Sequence, residues 1–207
     1  MTKPKLSYFD APVSRGEECR IALHLAGVEF DDVRIKGPDW PALKPNTPYG
    51  SMPFLEWEGH PTIAHSNAIL VLIGRKYGLH PKDDFEAARH EGMMEFVEEL
   101  RHHVGPTLRI KDEAEKKSAR ENIAANFLPT WAGHVEKQLG DGPFFAGKTL
   151  NVVDIKLHIG TRWFKSGVVD HIPATIFDKF PKLTRLHDAV GDDPRVKAWR
   201  AKSAKSA

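Results

Sequence analysis

Cysteine is nearly absent from this chain. Its 207 residues hold only Cys19, so no internal disulfide can form, which fits a reducing compartment. Long apolar runs are also missing. No stretch approaches the length needed to span a bilayer, and the start, MTKPKLSYFD, has no signal-peptide hydrophobic region. Charge of one sign is scarce: 30 basic and 28 acidic residues leave +2, interspersed along the chain. Neither nucleic acid nor a membrane surface is therefore expected as a partner. Internal repeats and low-complexity segments are absent. What remains is 41% apolar and 28% charged, enough for a sizeable core in a globular protein expected to be cytoplasmic.

Periodicity divides the chain in two. Lys5 to Phe9 reads as a strand, and Arg15 to Ala26 as a helix with Cys19, Ala22, Leu23 and Ala26 on one face and Gly27 as its stop. Glu29 to Ile35 alternates as a second strand. Lys36 to Pro48, with four prolines and a glycine, is expected to be an irregular loop. A hairpin follows (Phe54 to Trp57, Pro61 to Ala64), then a helix from Ser66 to Tyr77 stopped by Gly78. HPKDD, residues 80–84, reads as a linker.

Beyond the linker only helical patterns occur. Residues 85–109 carry Met93, Phe96, Val97, Leu100, Val104 and Leu108 on one stripe. Residues 113–139 form a second helix, kinked or split by Pro129. Asn151 and Asp154 make a capping box for a buried helix through Phe164. Helices at 181–190 and 194–200 follow, and the basic tail is expected to fray. The expected architecture is α/β plus all-α: a thioredoxin-like domain over 1–79, the linker 80–84, and a helical domain over 85–207.

Residues 49–68 hold the most chemistry. Pro53 forces Met52 into an extended conformation, permits a cis bond, and leaves a backbone edge that a peptide-like ligand could pair with. Ser66 opens a helix whose N–H groups and dipole suit a carboxylate. Read blandly, the proline only turns the chain and the serine only caps the helix. Cys19 lies a turn inside its helix on the apolar face and reads as core. His102 and His103 are adjacent, so they point to different faces, and no metal site is expected.

These motifs resemble the cytosolic glutathione transferases, of the tyrosine-type classes and nearest the sigma-like and prostaglandin-synthase-like ones. LSYFDAPVSRGEECRIAL is similar to their first strand and helix, in which a tyrosine ends the strand and R-[AG]-E-x-x-R-x-A-L opens the helix. Here those residues are Tyr8, Arg15, Gly16, Glu17, Arg20, Ala22 and Leu23, with one residue more than usual between Tyr8 and Arg15. SMPFLE resembles the family's cis-proline turn, and AHSNAI its glutamine-serine element, with His65 where glutamine is usual. GKTLNVVDIKL resembles its capping box.

The resemblance implies an enzyme that conjugates the glutathione thiolate to a small hydrophobic electrophile, with glutathione as co-substrate, no metal, and a homodimeric assembly. A catalytically weak ligand carrier or a glutathione-dependent isomerase or peroxidase are its alternatives. It implies Tyr8 as the hydroxyl that stabilises the thiolate, Ser14 as the rival and Arg15 as support. Glutathione would be held by Trp40, Lys44, Met52, Pro53, His65 and Ser66. Glu98 would reach the glutathione of a second subunit, and Tyr49 would insert into that subunit. Phe9, Val13, Arg101, His102, Gly105 and Arg109 would line the electrophile's pocket.

Overall fold

The computed structural model describes residues 2–205. Two compact units emerge: one runs up to Ala87 and resumes at Asp193, and the other is Ala88–Asp192.

The first unit is built on a four-stranded mixed sheet in the order β2-β1-β3-β4. β1 (Lys5–Phe9) runs parallel to β2 (Asp31–Ile35) and antiparallel to β3 (Phe54–Glu56), which pairs antiparallel with β4 (Ile63–Ala64). The parallel pair needs a crossover, and α1 (Ser14–Leu25) supplies it. Leu6 and Leu55 from the sheet and Cys19, Ala22 and Leu23 from α1 are buried to 1% exposure or less, as the helical spacing predicts. Each of the leucines contributes about 1.5–3 kcal/mol by its burial.

The proline-rich stretch is more ordered than expected. It forms a turn of 3-10 helix (Gly37–Asp39), a short α2 (Trp40–Leu43) and another 3-10 turn (Lys44–Asn46). A proline stands in the first turn of each, where a missing N–H costs nothing. α3 (Ser66–Tyr77) follows β4 and ends at Gly78, whose φ of 74° is the left-handed stop that glycine adopts freely.

The last helix, α9 (Pro194–Lys205), belongs to the sheet unit although its position in the chain suggested the helical domain. Trp199 Nε1 donates to Glu17 Oε1 at 2.7 Å, and its indole lies between His24 and Phe30. Arg34 Nη2 donates to Ser203 Oγ at 3.0 Å. These bonds hold helix where a frayed tail was expected. Residues 206 and 207 of that tail lie outside the described residues.

The second unit is helical. α4 (Asp84–Val104) buries Met93, Val97, Leu100 and Val104, but Leu108 is exposed because Pro106 ends the α-helix and a 3-10 turn (Gly105–Arg109) follows. The expected 113–139 helix is α5 (Glu113–Asn122), a π turn (Ile123–Phe127) and α6 (Leu128–Gln138). Pro129 lacks the N–H that a regular ladder would use, and the π turn absorbs that loss. α7 (Val152–Lys165) is buried from Val152 to Thr161. Its Asp154 accepts the N–H groups of Asn151 (2.8 Å) and Phe145 (2.7 Å). α8 is Pro181–Asp192. No described helix is long and apolar enough to cross a membrane.

Candidate active site

Sheet register assembles the residues of the first unit. Leu6 and Ser7 face Leu55 and Phe54 across β1 and β3, so one step further Tyr8 faces Pro53. Phe54 faces Ala64 across β3 and β4, so one step further Pro53 faces His65, and the His65 N–H donates to the Pro53 carbonyl at 3.2 Å. Continued one position more, beyond the last paired residues, the same register leads to Phe9, Met52 and Ser66. With strands ~4.8 Å apart, each row spans about 10 Å, the length of an extended tripeptide.

The Met52–Pro53 bond is cis. Among the described residues, neither backbone group of Met52 has a hydrogen-bond partner. Beside it, Ser51 Oγ is buried, also without a partner among the described residues. The first bond of α3 runs from the Ile69 N–H to the His65 carbonyl, so the positive end of the helix opens at Ser66, which is itself buried. His65 sits at φ 70°, ψ 129°, a region that costs a non-glycine residue about 1–3 kcal/mol and recurs at functional sites. Its ring stacks on Tyr49 at 5.0 Å.

Tyr8 is buried on the same face of β1 as Leu6. Its ring lies directly on the backbone of α1: a Cβ placed on Gly16 would come within 2.1 Å of Tyr8 Cδ1. Gly16 is thus the seat of Tyr8, a role the [AG] position of the motif hinted at without specifying. Phe9 continues the aromatic row, edge-on to Tyr8 (5.6 Å) and to Trp40 (6.2 Å). On the other side, the Lys44 stem lies over Gly50, next to Tyr49. The expected glutathione-binding residues therefore come together around one end of the sheet.

Arg20 fixes the loop after Tyr8. Fully buried, it donates to the carbonyls of Ala11 (2.8 Å) and Phe9 (3.1 Å), while Asp32 Oδ1 accepts from its Nε at 2.8 Å. Asp32 Oδ2 also accepts from Arg34. Glu17 lies 3.5 Å from the guanidinium. Glu17 and Arg20 of the motif thus form a clamp on the β1–α1 loop.

Ser14, the rival to Tyr8, is half-buried at φ 59° and begins α1. Val13 rather than Ser14 is the N-cap, and no side chain caps the helix, so Ser14 does not stand there as a cap. Arg15, half-buried, follows it.

In the helical unit Arg101 is buried and bonded to Glu98 Oε1 at 2.6 Å. Buried Lys156 binds the same oxygen, so the Glu98 carboxylate is already neutralised within its own unit. His102 and Arg109 are exposed, and Gly105 starts the 3-10 turn. Phe9 and Val13 are partly exposed in the first unit. Glu113, Asp170 and His171 bring potential ligand atoms within 4.8 Å of one another, a grouping distant in sequence and so invisible there. Lys116 and Arg120 already pair with its carboxylates.

Comparison with known proteins agrees with this geometry. The glutathione S-transferase N-terminal domain pattern matches residues 4–75, and the glutathione S-transferase C-terminal domain pattern matches residues 98–203. Glutathione S-transferase 1 of Ascaris suum is 29% identical, over 100% of this chain and 99% of its own. Hematopoietic prostaglandin D synthase of Gallus gallus is 30% identical over 100% of both. The crystal structure of the glutathione S-transferase from Ascaris lumbricoides superposes with a TM-score of 0.86 at 29% identity, covering 98% of each chain. Two domain patterns in the right order and full-length relatives make the assignment: this chain belongs to the glutathione S-transferase family.

Proposed function

We propose that this protein binds glutathione along the Phe9–Met52–Ser66 row and transfers its thiolate to a small hydrophobic electrophile, with Tyr8 holding the sulfur. The observation that carries this reading is the unpaired Met52 backbone between Tyr8's strand and the start of α3. Met52 would pair with the cysteinyl backbone of glutathione, and Ser66 and the helix end would take the γ-glutamyl carboxylate. Trp40 and Lys44 would meet the glycyl carboxylate, with His65 and Pro53 forming the floor. The Ser51 hydroxyl offers one further polar contact.

The thiol gives its proton to solvent. The Tyr8 O–H donates a hydrogen bond to the resulting thiolate and keeps its own proton. Each unit by which this lowers the thiol pKa, from about 8.5, represents about 1.4 kcal/mol of thiolate stabilisation. The thiolate then forms a carbon–sulfur bond as the electrophile's leaving group departs with the bonding pair. Arg15 adds positive potential. Within the sheet unit, Phe9 and Val13 are proposed to contact the electrophile.

Ultraviolet titration of bound glutathione tests the assignment. Tyr8→Phe is expected to raise the thiol pKa by one unit or more and cut turnover at least tenfold, with Ser14→Ala nearly silent. The reverse pattern would transfer the role to Ser14. The 30% identity to a prostaglandin D synthase favours a second reading, a glutathione-dependent isomerase on the same site. Stoichiometric loss of free glutathione during turnover separates conjugation from isomerisation.

A homodimer in the cytoplasm, as is usual in the family, completes the proposal. Tyr49 is 69% exposed. A cavity of about 490 Å³ between α4 and α6, walled by Met93, Phe96, His134 and Phe145, is suited to receive Tyr49 from a second copy. Glu98 would then face the second copy's glutathione from within its ion-paired cluster. Tyr49→Ala is expected to dissociate the dimer by about tenfold or more, read by sedimentation; an unchanged constant would dismiss this contact.

A further inference from the structure

Tyr8 and Ser14, the two hydroxyls that could hold the thiolate, flank one loop, and the Arg20 guanidinium holds that loop. Its Nη1 donates to the Ala11 carbonyl at 2.8 Å and its Nη2 to the Phe9 carbonyl at 3.1 Å. The guanidinium carbon also lies 5.9 Å from the centre of the Tyr8 ring. Two N–H groups of the loop complete the arrangement. Asp10 donates to the Ile35 carbonyl at 3.0 Å, and Ala11 to that of Phe9 at 2.8 Å.

Glu17 competes for the nitrogen that holds Ala11. Its Oε2 is 3.5 Å from Arg20 Nη1 and, although buried, has no hydrogen-bond partner among the described residues. A buried carboxylate oxygen in that state is costly, and a small shift of Nη1 away from Ala11 would relieve it with a charge-assisted bond. What restrains Glu17 comes from the far end of the chain. The Trp199 indole N–H donates to its other oxygen at 2.7 Å, and the indole is itself held 5.6 Å from the His24 ring and 5.7 Å from that of Phe30. The second carboxylate beside Arg20 is tied to the same helix. Asp32 accepts from both Arg20 and Arg34, and Arg34 donates to Ser203. α9 thus acts on both carboxylates that share Arg20.

We infer that Trp199 is a positioning residue for the β1–α1 loop. By occupying Glu17 it leaves Arg20 to the Phe9 and Ala11 carbonyls, and so sets where Tyr8, Ser14, Phe9 and Val13 stand. The consequence for turnover rests on the proposed transferase reaction; the control of the loop does not. It holds whichever hydroxyl meets the sulfur.

The test is Trp199→Phe in the full chain, which removes the N–H donor and keeps a ring between His24 and Phe30. Hydrogen–deuterium exchange read by NMR follows the Asp10 and Ala11 amides, with the Ile73 amide of α3 as internal reference. Exchange at the two loop amides is expected to rise about tenfold with Ile73 unchanged. With 1-chloro-2,4-dinitrobenzene, kcat is expected to fall about tenfold, while the glutathione KM changes less than about twofold. Glu17→Gln removes the competing charge and is expected to abolish both effects of Trp199→Phe, whereas a loss of α9 packing alone would persist in that background. Unchanged loop exchange in folded Trp199→Phe, or equal effects in the two backgrounds, overturns the inference. Should melting show that Trp199→Phe does not fold, Glu17→Gln decides alone: loop exchange within about threefold of wild type supports the inference, and faster exchange overturns it. Absence of turnover in the wild type would count against the proposed reaction, and the exchange result would still decide the role of Trp199.

Discussion

Replacing Gly16 by alanine is the sharpest perturbation the geometry offers. The added Cβ would lie 2.1 Å from Tyr8 Cδ1, 2.3 Å from Cγ and 2.6 Å from Cβ, where real contacts do not fall below 3.0 Å. Because Tyr8 Cβ itself is too close, rotating the ring cannot relieve the overlap. The tyrosine must move by about 1 Å, against a strand paired on both sides. Overpacking of this kind costs about 1–3 kcal/mol, and alanine returns about 1 kcal/mol in a helix, so net stability changes little. A displacement of ~1 Å at a reacting group costs on the order of 100-fold in rate. The expected result is a 10- to 100-fold fall in kcat/KM with 1-chloro-2,4-dinitrobenzene and a raised thiol pKa, beside a urea midpoint close to wild type. The double variant supplies the control. In a Tyr8→Phe background, Gly16→Ala should do almost nothing more, since both act through one hydroxyl. Equal effects of Gly16→Ala in the two backgrounds would refute the reasoning.

Two further outcomes follow from the polar interior. Arg20→Met should cost about 3–5 kcal/mol in urea unfolding, because it strips the buried guanidinium from Asp32 and two carbonyls; a loss below 1 kcal/mol would show that the clamp is idle. Burial pushes the Asp154 carboxyl up to about 7, against the hydrogen bonds from Phe145 and Asn151, from an ordinary 3.8. A raised folded-state value means that its contribution is full below pH ~4 and lost as pH rises through 7, by up to about 4 kcal/mol. Wild-type stability should therefore fall between pH 5 and pH 8 relative to Asp154→Asn, and parallel pH profiles would contradict this.

Much of the fold was legible because local chemistry and tertiary demand agree. Gly78 ended α3, the Asn151–Asp154 box capped α7, and the apolar spacing of α1 picked out Cys19, Ala22 and Leu23, though burial runs unbroken from Gly16 to Leu23. Proline was read less well: in 36–48 it signalled an irregular loop but begins short helical turns, and Pro106 exposed Leu108 by ending α4 early. The candidate site was legible at the motif level, since Met52, Pro53 and Ser66 lie within fifteen residues of one another. Its supports were not. The Tyr8–Gly16 seat and the Arg20 clamp depend on which atoms meet across the β1–α1 loop, and no periodicity reports that. Nor could spacing reveal that Trp199 bonds to Glu17, residues at opposite ends of the chain.

That last bond has a consequence for biosynthesis. The sheet unit needs α9 to give Glu17 its indole partner and Arg34 its serine, yet α9 follows the whole helical unit in the chain. At ~5–20 residues per second, the roughly one hundred residues of the helical unit occupy about 5–20 s of synthesis between Ala87 and Asp193. Throughout that interval the nascent sheet unit holds a buried-to-be carboxylate without its donor. The helical unit is complete in sequence before the unit that precedes it, so the sheet unit matures after the helical one.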